Sequence, residues 1–139
     1  MNALIGWSGT DGYDDRDGRS WAEGQAYRQY LKQGDFRQPA LTYVTLDEQG
    51  DSINDGFFID PLTPAAWGDI PASYHCGAGS FSFADGHAEV HKWIDGMTKT
   101  RTFYRTGNST FTGNFGAKDK DLRWIRNNTT YSKAGRPIP

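Results

Sequence analysis

The sequence lacks several features that would assign it directly to a functional class. Its single cysteine, Cys76, excludes an internal disulfide bond and a multi-cysteine zinc site. No stretch approaches the roughly 20 consecutive apolar residues that a membrane-spanning helix needs, and the first residues lack the basic start of a signal peptide. Fifteen Lys and Arg against 17 Asp and Glu give a net charge of -2, which argues against a nucleic-acid partner.

Glycine and aromatic residues are what the sequence has in abundance. It contains 17 Gly, 5 Trp, 7 Tyr and 8 Phe, and aromatic residues separated by turns favour short strands over long helices. One hydrophobic core is sufficient for a chain of this length. We therefore expect a single α+β domain over residues 1–139, in which a short N-terminal helix packs on an antiparallel β-sheet.

The predicted N-terminal helix has recognisable start and stop signals. Ser20 and Glu23 have the spacing of a capping box, in which each side chain satisfies a backbone donor at the start of a helix. Gly34 is suited to the C-terminal cap. These signals predict a helix over residues 21–33, with its apolar side chains on the face that lies against the sheet.

Alternating apolar and polar residues predict the strands. Residues 41–46 alternate with period two, and residues 56–59 form a second short candidate after a turn-rich segment. Weaker patterns predict strands at residues 101–105 and 110–112. A last short helix is expected over residues 122–126, where Leu, Trp and Ile can pack together.

The strongest local signal is a β-hairpin over residues 80–93. Asp85 and Gly86 separate two alternating runs, and an Asp-Gly pair favours a two-residue type I′ turn. This turn would pair Phe81 with Val90 across the hairpin. It predicts an apolar inner face formed by Phe81, Phe83, Ala88 and Val90, and a polar outer face formed by Ser80, Ser82, His87, Glu89 and His91.

Three residues of the second hairpin strand are candidate metal ligands. His87, Glu89 and His91 alternate along the strand and therefore share one face. Two imidazoles and a carboxylate suit Zn²⁺ or Fe²⁺, and His75 would serve as a fourth ligand or as a general base. The alternative is that these side chains form an ordinary solvated strand face.

Acidic, glycine-containing turns are a second candidate for metal binding, with Ca²⁺ as the expected ion. One includes Asp51, Asn54 and Asp55, and the other includes Asp11, Asp14, Asp15 and Asp17. Neither fits the helix-loop-helix calcium pattern, and hydrogen bonds within Asx turns account for such residues equally well.

No recognisable motif for nucleophilic catalysis is present. His75 and Cys76 are adjacent, so their side chains would point in opposite directions in an extended chain. Ser80 and Ser82 are not part of a strand-turn-helix elbow, and residues 77–79 lack the remaining glycine of a phosphate-binding loop. We therefore expect a protein that is not an enzyme.

Several spaced motifs resemble the C-terminal signature of the prepilin-type processing-associated proteins, a family similar to type II secretion pseudopilins and type IV pilins. Nine residues separate His75 from the pair Asp85 and Gly86, and the resemblance covers roughly residues 39–127. The motifs are residues 47–48 (DE), 51–57 (DSINDGF), 67–75 (WGDIPASYH), 83–93 (FADGHAEVHKW) and 121–125 (DLRWI).

The resemblance implies a globular head that works through protein-protein contacts in the cell envelope, with other pseudopilin-like subunits or secretion-system proteins as partners. It assigns His75, Asp85 and Gly86 a structural role. Members of the family carry an N-terminal peptidase site and a long apolar anchoring helix, which this sequence does not show. We therefore expect a fragment of a longer protein, with an uncovered apolar sheet face that promotes self-association.

Two other functional classes remain open from the sequence. A metal-dependent enzyme would use His87, Glu89 and His91. A carbohydrate- or surface-binding module would stack sugars on exposed aromatic rings, with Trp67 and Trp93 as the candidates.

Overall fold

The computed structural model describes residues 1–6, 27–59, 67–96, 98–99, 119–132 and 134. Within these ranges, two short 3₁₀ turns at Gln33–Asp35 and Pro39–Leu41 precede the strands β1 (Tyr43–Leu46), β2 (Ala78–Phe83) and β3 (Ala88–Lys92), and the helix α1 (Lys120–Thr129) comes last. A three-stranded antiparallel sheet and one helix make this part of the chain α+β. The predicted strands at residues 101–105 and 110–112 lie outside the described residues.

The sheet has the order β1-β2-β3, so β2 is its central strand. β1 begins two residues later than the alternation predicts, because Pro39 starts a 3₁₀ turn that Thr42 closes with a backbone hydrogen bond to the Pro39 carbonyl (3.3 Å). An irregularity between Tyr43 and Thr45 then shifts the register of β1 on β2 by one residue.

The hydrophobic core lies between one face of this sheet and α1. Its buried members are Tyr43, Phe58, Trp67, Ile70, Phe81, Phe83, Trp93, Leu122 and Ile125. The ring of Trp124 from α1 contacts that of Phe81 edge to face, at 4.9 Å between centroids. The uncovered apolar face expected from the resemblance is therefore absent from the described part of the sheet, because α1 covers it.

The hairpin turn has three residues, and the prediction of a two-residue type I′ turn is wrong. Phe83 pairs with His87: the Phe83 amide donates to the His87 carbonyl (2.9 Å), and the Gly86 amide donates to the Phe83 carbonyl (3.0 Å). Gly86 has a φ of 96°, whereas Asp85 is not among the residues with positive φ. A type I turn followed by a left-handed glycine is the usual form of a three-residue hairpin loop.

The longer turn shifts β3 by one residue relative to the prediction. Phe81 faces Glu89 rather than Val90, and Ser80 faces Val90 rather than His91. A one-residue shift moves every side chain of a strand to the opposite face. Phe81 and Phe83 are buried as predicted, but Val90 is 61% exposed and Ala88 is exposed as well, so the prediction that these two join the inner face is wrong.

The N-terminal helix predicted over residues 21–33 is not formed in its described part, and residues 21–26 lie outside the described residues. Tyr30 instead makes a parallel bridge with Ile5, its amide donating to the Leu4 carbonyl (2.8 Å). Gly34 lies inside the turn Gln33–Asp35 rather than at a helix end. Distant backbone partners have replaced the local hydrogen bonds of a helix.

The remaining predicted elements are partly confirmed. The helix expected over residues 122–126 exists and is longer, because the Asp119 side chain accepts hydrogen bonds from the amides of Asp121 and Leu122 and caps its start. The strand expected at residues 56–59 is reduced to a single parallel bridge between Asn2 and Phe58.

Candidate functional site

Most motifs of the resemblance converge around the end of β2 that lies away from the hairpin turn, whereas Asp85 and Gly86 lie in the turn at the other end. The Ala72 amide donates to the Asp47 carbonyl (2.8 Å), and Glu48 bridges with Pro71. The Trp93 amide donates to the Gly77 carbonyl (3.0 Å), which brings in the end of β3. We call this convergence the motif region: residues 47–57, 67–77 and 93–95, with the start of α1.

His75 and Asp47 form an exposed pair at this region. His75 Nε2 lies 3.3 Å from Asp47 Oδ2, and the same carboxylate oxygen accepts a hydrogen bond from the Ser80 amide at 3.4 Å. The backbone between His75 and Ala78 turns sharply, with φ values of 54° at Cys76 and 81° at Gly77. The pair therefore joins the tight turn before β2 to the residue that follows β1.

The Asp85 carboxylate accepts hydrogen bonds within its own hairpin turn. Its Oδ1 accepts a hydrogen bond from the His87 amide (3.2 Å) and lies 2.6 Å from His87 Nδ1. The hydrogen bond with the His87 side chain lowers the pKa of Asp85. The His87 ring also stacks on that of Phe83, at 4.3 Å between centroids. This imidazole is thus fixed by the turn and by an aromatic neighbour.

The three candidate metal ligands predicted on the second hairpin strand do not come together. Within the described part of the chain, the ligand atoms of His87, Glu89 and His91 do not all lie within 4.8 Å of one another. His91 stacks instead on Trp124 of α1, with 3.6 Å between ring centroids, and its burial there lowers the pKa of its imidazole.

Asp95, Asp119 and Asp121 form an acidic cluster that the sequence analysis missed. One carboxylate oxygen from each lies within 4.8 Å of the others. Asp119 caps α1, Asp121 accepts hydrogen bonds from the Ile94 and Asp95 amides (2.9–3.1 Å), and Asp95 accepts one from the Lys120 amide (3.2 Å). Backbone amides at the start of α1 and in the segment after β3 therefore account for the cluster.

A second acidic group lies deeper in the motif region. Glu48 Oε1 accepts a hydrogen bond from Ser52 Oγ (3.0 Å), and Ser52 Oγ accepts one from the Ile70 amide (2.9 Å). Burial, together with the charge of Asp69, raises the pKa of Glu48 to about 7. Burial also raises the pKa of Asp69 to about 6. Both carboxyl groups change charge close to neutral pH.

The predicted calcium-binding turns show local hydrogen bonding where they are described. The Asp51 amide donates to Gln49 Oε1 (2.7 Å), and Asp55 Oδ1 accepts from the Phe57 amide (2.7 Å), an Asx-type turn. The carboxylates of Asp51 and Asp55 are not part of the acidic cluster described above. Asn54 is uncharged. The other predicted turn, at residues 11–17, lies outside the described residues.

The tryptophans expected to stack on ligands are buried. Trp67 is 4% exposed and donates through Nε1 to Asp119 Oδ2 (2.9 Å). Trp93 is 1% exposed and donates through Nε1 to the Ala72 carbonyl (2.8 Å). The prediction that these rings bind sugars at the surface is therefore wrong, because a buried indole offers no face to a ligand.

Asn2 is a structural residue that the sequence analysis did not identify. Its side chain is fully buried and donates to the carbonyls of Tyr43 and Thr129, both at 2.9 Å. It also accepts a hydrogen bond from the Leu4 amide (3.0 Å). One asparagine thus joins the N-terminal segment, β1 and α1, and no local pattern could have indicated partners 41 and 127 residues away.

Comparisons with known proteins identify no relative. No family model, no curated protein and no solved structure matches the chain. Among the described residues, no helix has the length and apolar character needed to cross a membrane.

Proposed function

We propose that the chain is the non-enzymatic head domain of a pseudopilin- or prepilin-like protein, and that it acts through protein-protein contacts in type II secretion or in a pilus-like assembly. One observation carries the proposal. Motif residues that are far apart in the sequence meet in the motif region, and their polar groups bind the chain's own backbone. Such contacts within the chain are expected of a sequence motif whose role is to stabilise the fold.

The hydrogen bonds of the motif region join all of the recognised segments. Trp93 donates to the Ala72 carbonyl, and Asp121 accepts from the Ile94 amide, so the segment after β3 is held from both sides. Asp47 binds His75, and Glu48 reaches the Ile70 amide through Ser52. These hydrogen bonds are made within the chain and do not depend on the partner that the head meets.

A close approach at Gly79 supports the same structural role. A Cβ at this position would lie 2.8 Å from the Ala72 carbonyl oxygen and 3.2 Å from Trp93 Cζ2. This small residue of β2 therefore lets the strand pack against a loop and an indole ring of the motif region. This role is one of packing and needs no reaction.

The cell-envelope localisation can be tested on the endogenous protein. Antibodies against this domain would recover it from fractionated cells, and mass spectrometry would determine its mature N terminus. The proposal predicts a longer protein in the membrane fraction, with a processed N terminus followed by a long apolar segment upstream of residue 1. A mature protein that begins at Met1 and is recovered from the soluble fraction would contradict it.

The non-enzymatic role has a separate test. Elemental analysis of untagged protein should find no stoichiometric Zn or Fe, and a variant with His87→Ala and His91→Ala should give the same result. A stoichiometric metal that the double variant loses would instead support a metal-dependent enzyme.

A further inference from the structure

β3 is an edge strand whose outer side has unused backbone groups. In an antiparallel pair, the hydrogen-bonded residues alternate, and Phe83 with His87 and Gly77 with Trp93 are bonded pairs. The amides and carbonyls of His87, Glu89 and His91 therefore face β2. Those of Ala88, Val90 and Lys92 face outward, and none of them bonds another described part of the chain.

The opposite edge of the sheet does not share this property. The Asn2 amide donates to the Val44 carbonyl (2.9 Å), and the Asn2 side chain donates to the Tyr43 carbonyl. The N-terminal segment thus covers part of β1. The outer side of β3 is instead flanked by two exposed apolar side chains, Val90 at 61% and Ile94 at 62%. Exposed edges of this kind are templates for another strand.

The sequence of β3 is complementary to itself when read in the opposite direction. An antiparallel copy centred on Val90 places Val90 opposite its own equivalent and Ala88 opposite Lys92. It also places each Glu89 carboxylate opposite a His91 imidazole. The outward groups of the even-numbered residues then meet as hydrogen-bonded pairs, as the alternation requires.

Neighbouring registers lose this match. A shift by two residues in one direction places Glu89 opposite Glu89, and a shift in the other direction places His91 opposite His91. A larger shift brings Lys92 opposite Lys92. Like charges opposite each other destabilise a strand pair, whereas a glutamate carboxylate accepts a hydrogen bond from an imidazole N–H. Only the register centred on Val90 pairs all five residues without facing identical polar groups.

We propose that the outer edge of β3 binds a second copy of this chain, forming a two-fold symmetric, continuous sheet with Val90 on the symmetry axis. A two-fold contact closes on itself, so it produces a dimer and not an open filament. The contact involves one short strand from each copy, so association is reversible and depends on concentration. The inference stands on the geometry of β3 and not on the proposed function, and either can fail without the other.

Disulfide trapping tests the register. In a Cys76→Ser background, Val90→Cys places two thiols on a hydrogen-bonded pair with Cα atoms about 5.5 Å apart, within the range of a disulfide bond. Lys92→Cys is the matched control, since its two copies would be about four residues, or roughly 13 Å, apart along the strands. Under mild oxidation with copper phenanthroline, Val90→Cys should form covalent dimers at least about 10 times faster than Lys92→Cys.

A positive control uses the same geometry. A mixture of the Ala88→Cys and Lys92→Cys chains should form a cross-linked heterodimer, because these positions face each other in the proposed pair. Equal trapping of Val90→Cys and Lys92→Cys would overturn the proposal, because it would indicate random collision. Failure of the mixed chains to cross-link would overturn it as well.

Sedimentation equilibrium tests the contact without cysteines. The Val90 amide faces outward, so Val90→Pro removes a donor of the proposed dimer without removing a hydrogen bond to β2. It should raise the dissociation constant of the dimer at least about 10-fold, while Val90→Thr should change it less. A chain that remains monomeric at millimolar concentration would overturn the proposal. Circular dichroism checks the fold, and if Val90→Pro unfolds, the cysteine comparison still decides.

Discussion

β2 and β3 belong to the same hairpin but occupy opposite environments. β2 lies between two strands, and its Phe81 is 2% exposed, whereas β3 lies at the edge, and its Val90 is 61% exposed. Both strands contain β-branched or aromatic residues that suit a sheet. The comparison teaches that the neighbours of a strand, rather than its own composition, decide how much free energy its side chains contribute.

The largest expected difference between the two strands comes from removing an apolar side chain. Phe81→Ala should reduce the free energy of unfolding by about 3–5 kcal/mol, because the ring contacts Tyr43, Trp93 and Trp124 in the core. Val90→Ala should change it by less than about 0.5 kcal/mol, because the side chain is exposed. Urea denaturation at low protein concentration measures both. Equal losses of unfolding free energy in the two variants would contradict the difference between β2 and β3.

The apolar side of β2 could be predicted from sequence, but the face of β3 could not. Alternation places Phe81 and Phe83 together wherever β2 pairs. On β3 either Ala88 and Val90 or Glu89 and His91 could share the face of Phe81, depending on the length of the turn. An Asp-Gly pair fits both two-residue and three-residue turns. The choice depends on long-range contacts: the His91 ring stacks on Trp124, which is 33 positions later in the sequence.

The same distinction explains the other errors. Residues 27–33 have a sequence suited to a helix, but Asp35 binds the amides of Leu31 and Lys32, and Tyr30 bonds to residues near the N terminus. The helix at the C-terminal end was predictable because its cap and apolar residues are local. The acidic cluster at Asp119 was not, because its third member is 24 residues earlier in the sequence.

The next largest difference in stability between β2 and β3 is expected when a side chain is enlarged. Gly79→Ala in β2 should destabilise the fold by about 1–3 kcal/mol, because its Cβ would meet the Ala72 carbonyl oxygen at 2.8 Å. Ala88→Val in β3 adds two methyl groups at an exposed position and should change the stability by less than about 0.5 kcal/mol. Thermal unfolding by circular dichroism measures both, and a stable Gly79→Ala variant would argue against this packing.

A smaller, pH-dependent difference is expected between a buried and an exposed glutamate. The pKa of Glu48 in the fold, about 7, lies above its ordinary value of 4.5. The folded state therefore binds more protons between these values, and the free energy of unfolding falls as the pH rises from about 4.5 to 7. Asp69, whose pKa is raised to about 6, acts in the same direction.

Replacing the charge isolates this effect. Glu48→Gln should stabilise the fold by about 1 kcal/mol at pH 8, after allowance for solvent screening, and should have little effect at pH 4. Glu89→Gln on β3 is the matched control and should change the stability by less than about 0.5 kcal/mol at both pH values. If Glu48→Gln instead lost stability at pH 8, the charged carboxylate of Glu48 would be stabilising the fold, contrary to this prediction.

The register of β3 on β2 is the central claim, since it decides which side chains of β3 share the core face of the sheet with Phe81 and Phe83. Nuclear Overhauser effects between Hα protons report it directly, because they are strong only in non-hydrogen-bonded antiparallel pairs, whose Cα atoms are about 4.5 Å apart. The account predicts strong Hα-Hα effects between Ser82 and Ala88 and between Ser80 and Val90. Effects between Phe83 and Ala88 and between Phe81 and Val90 would contradict it.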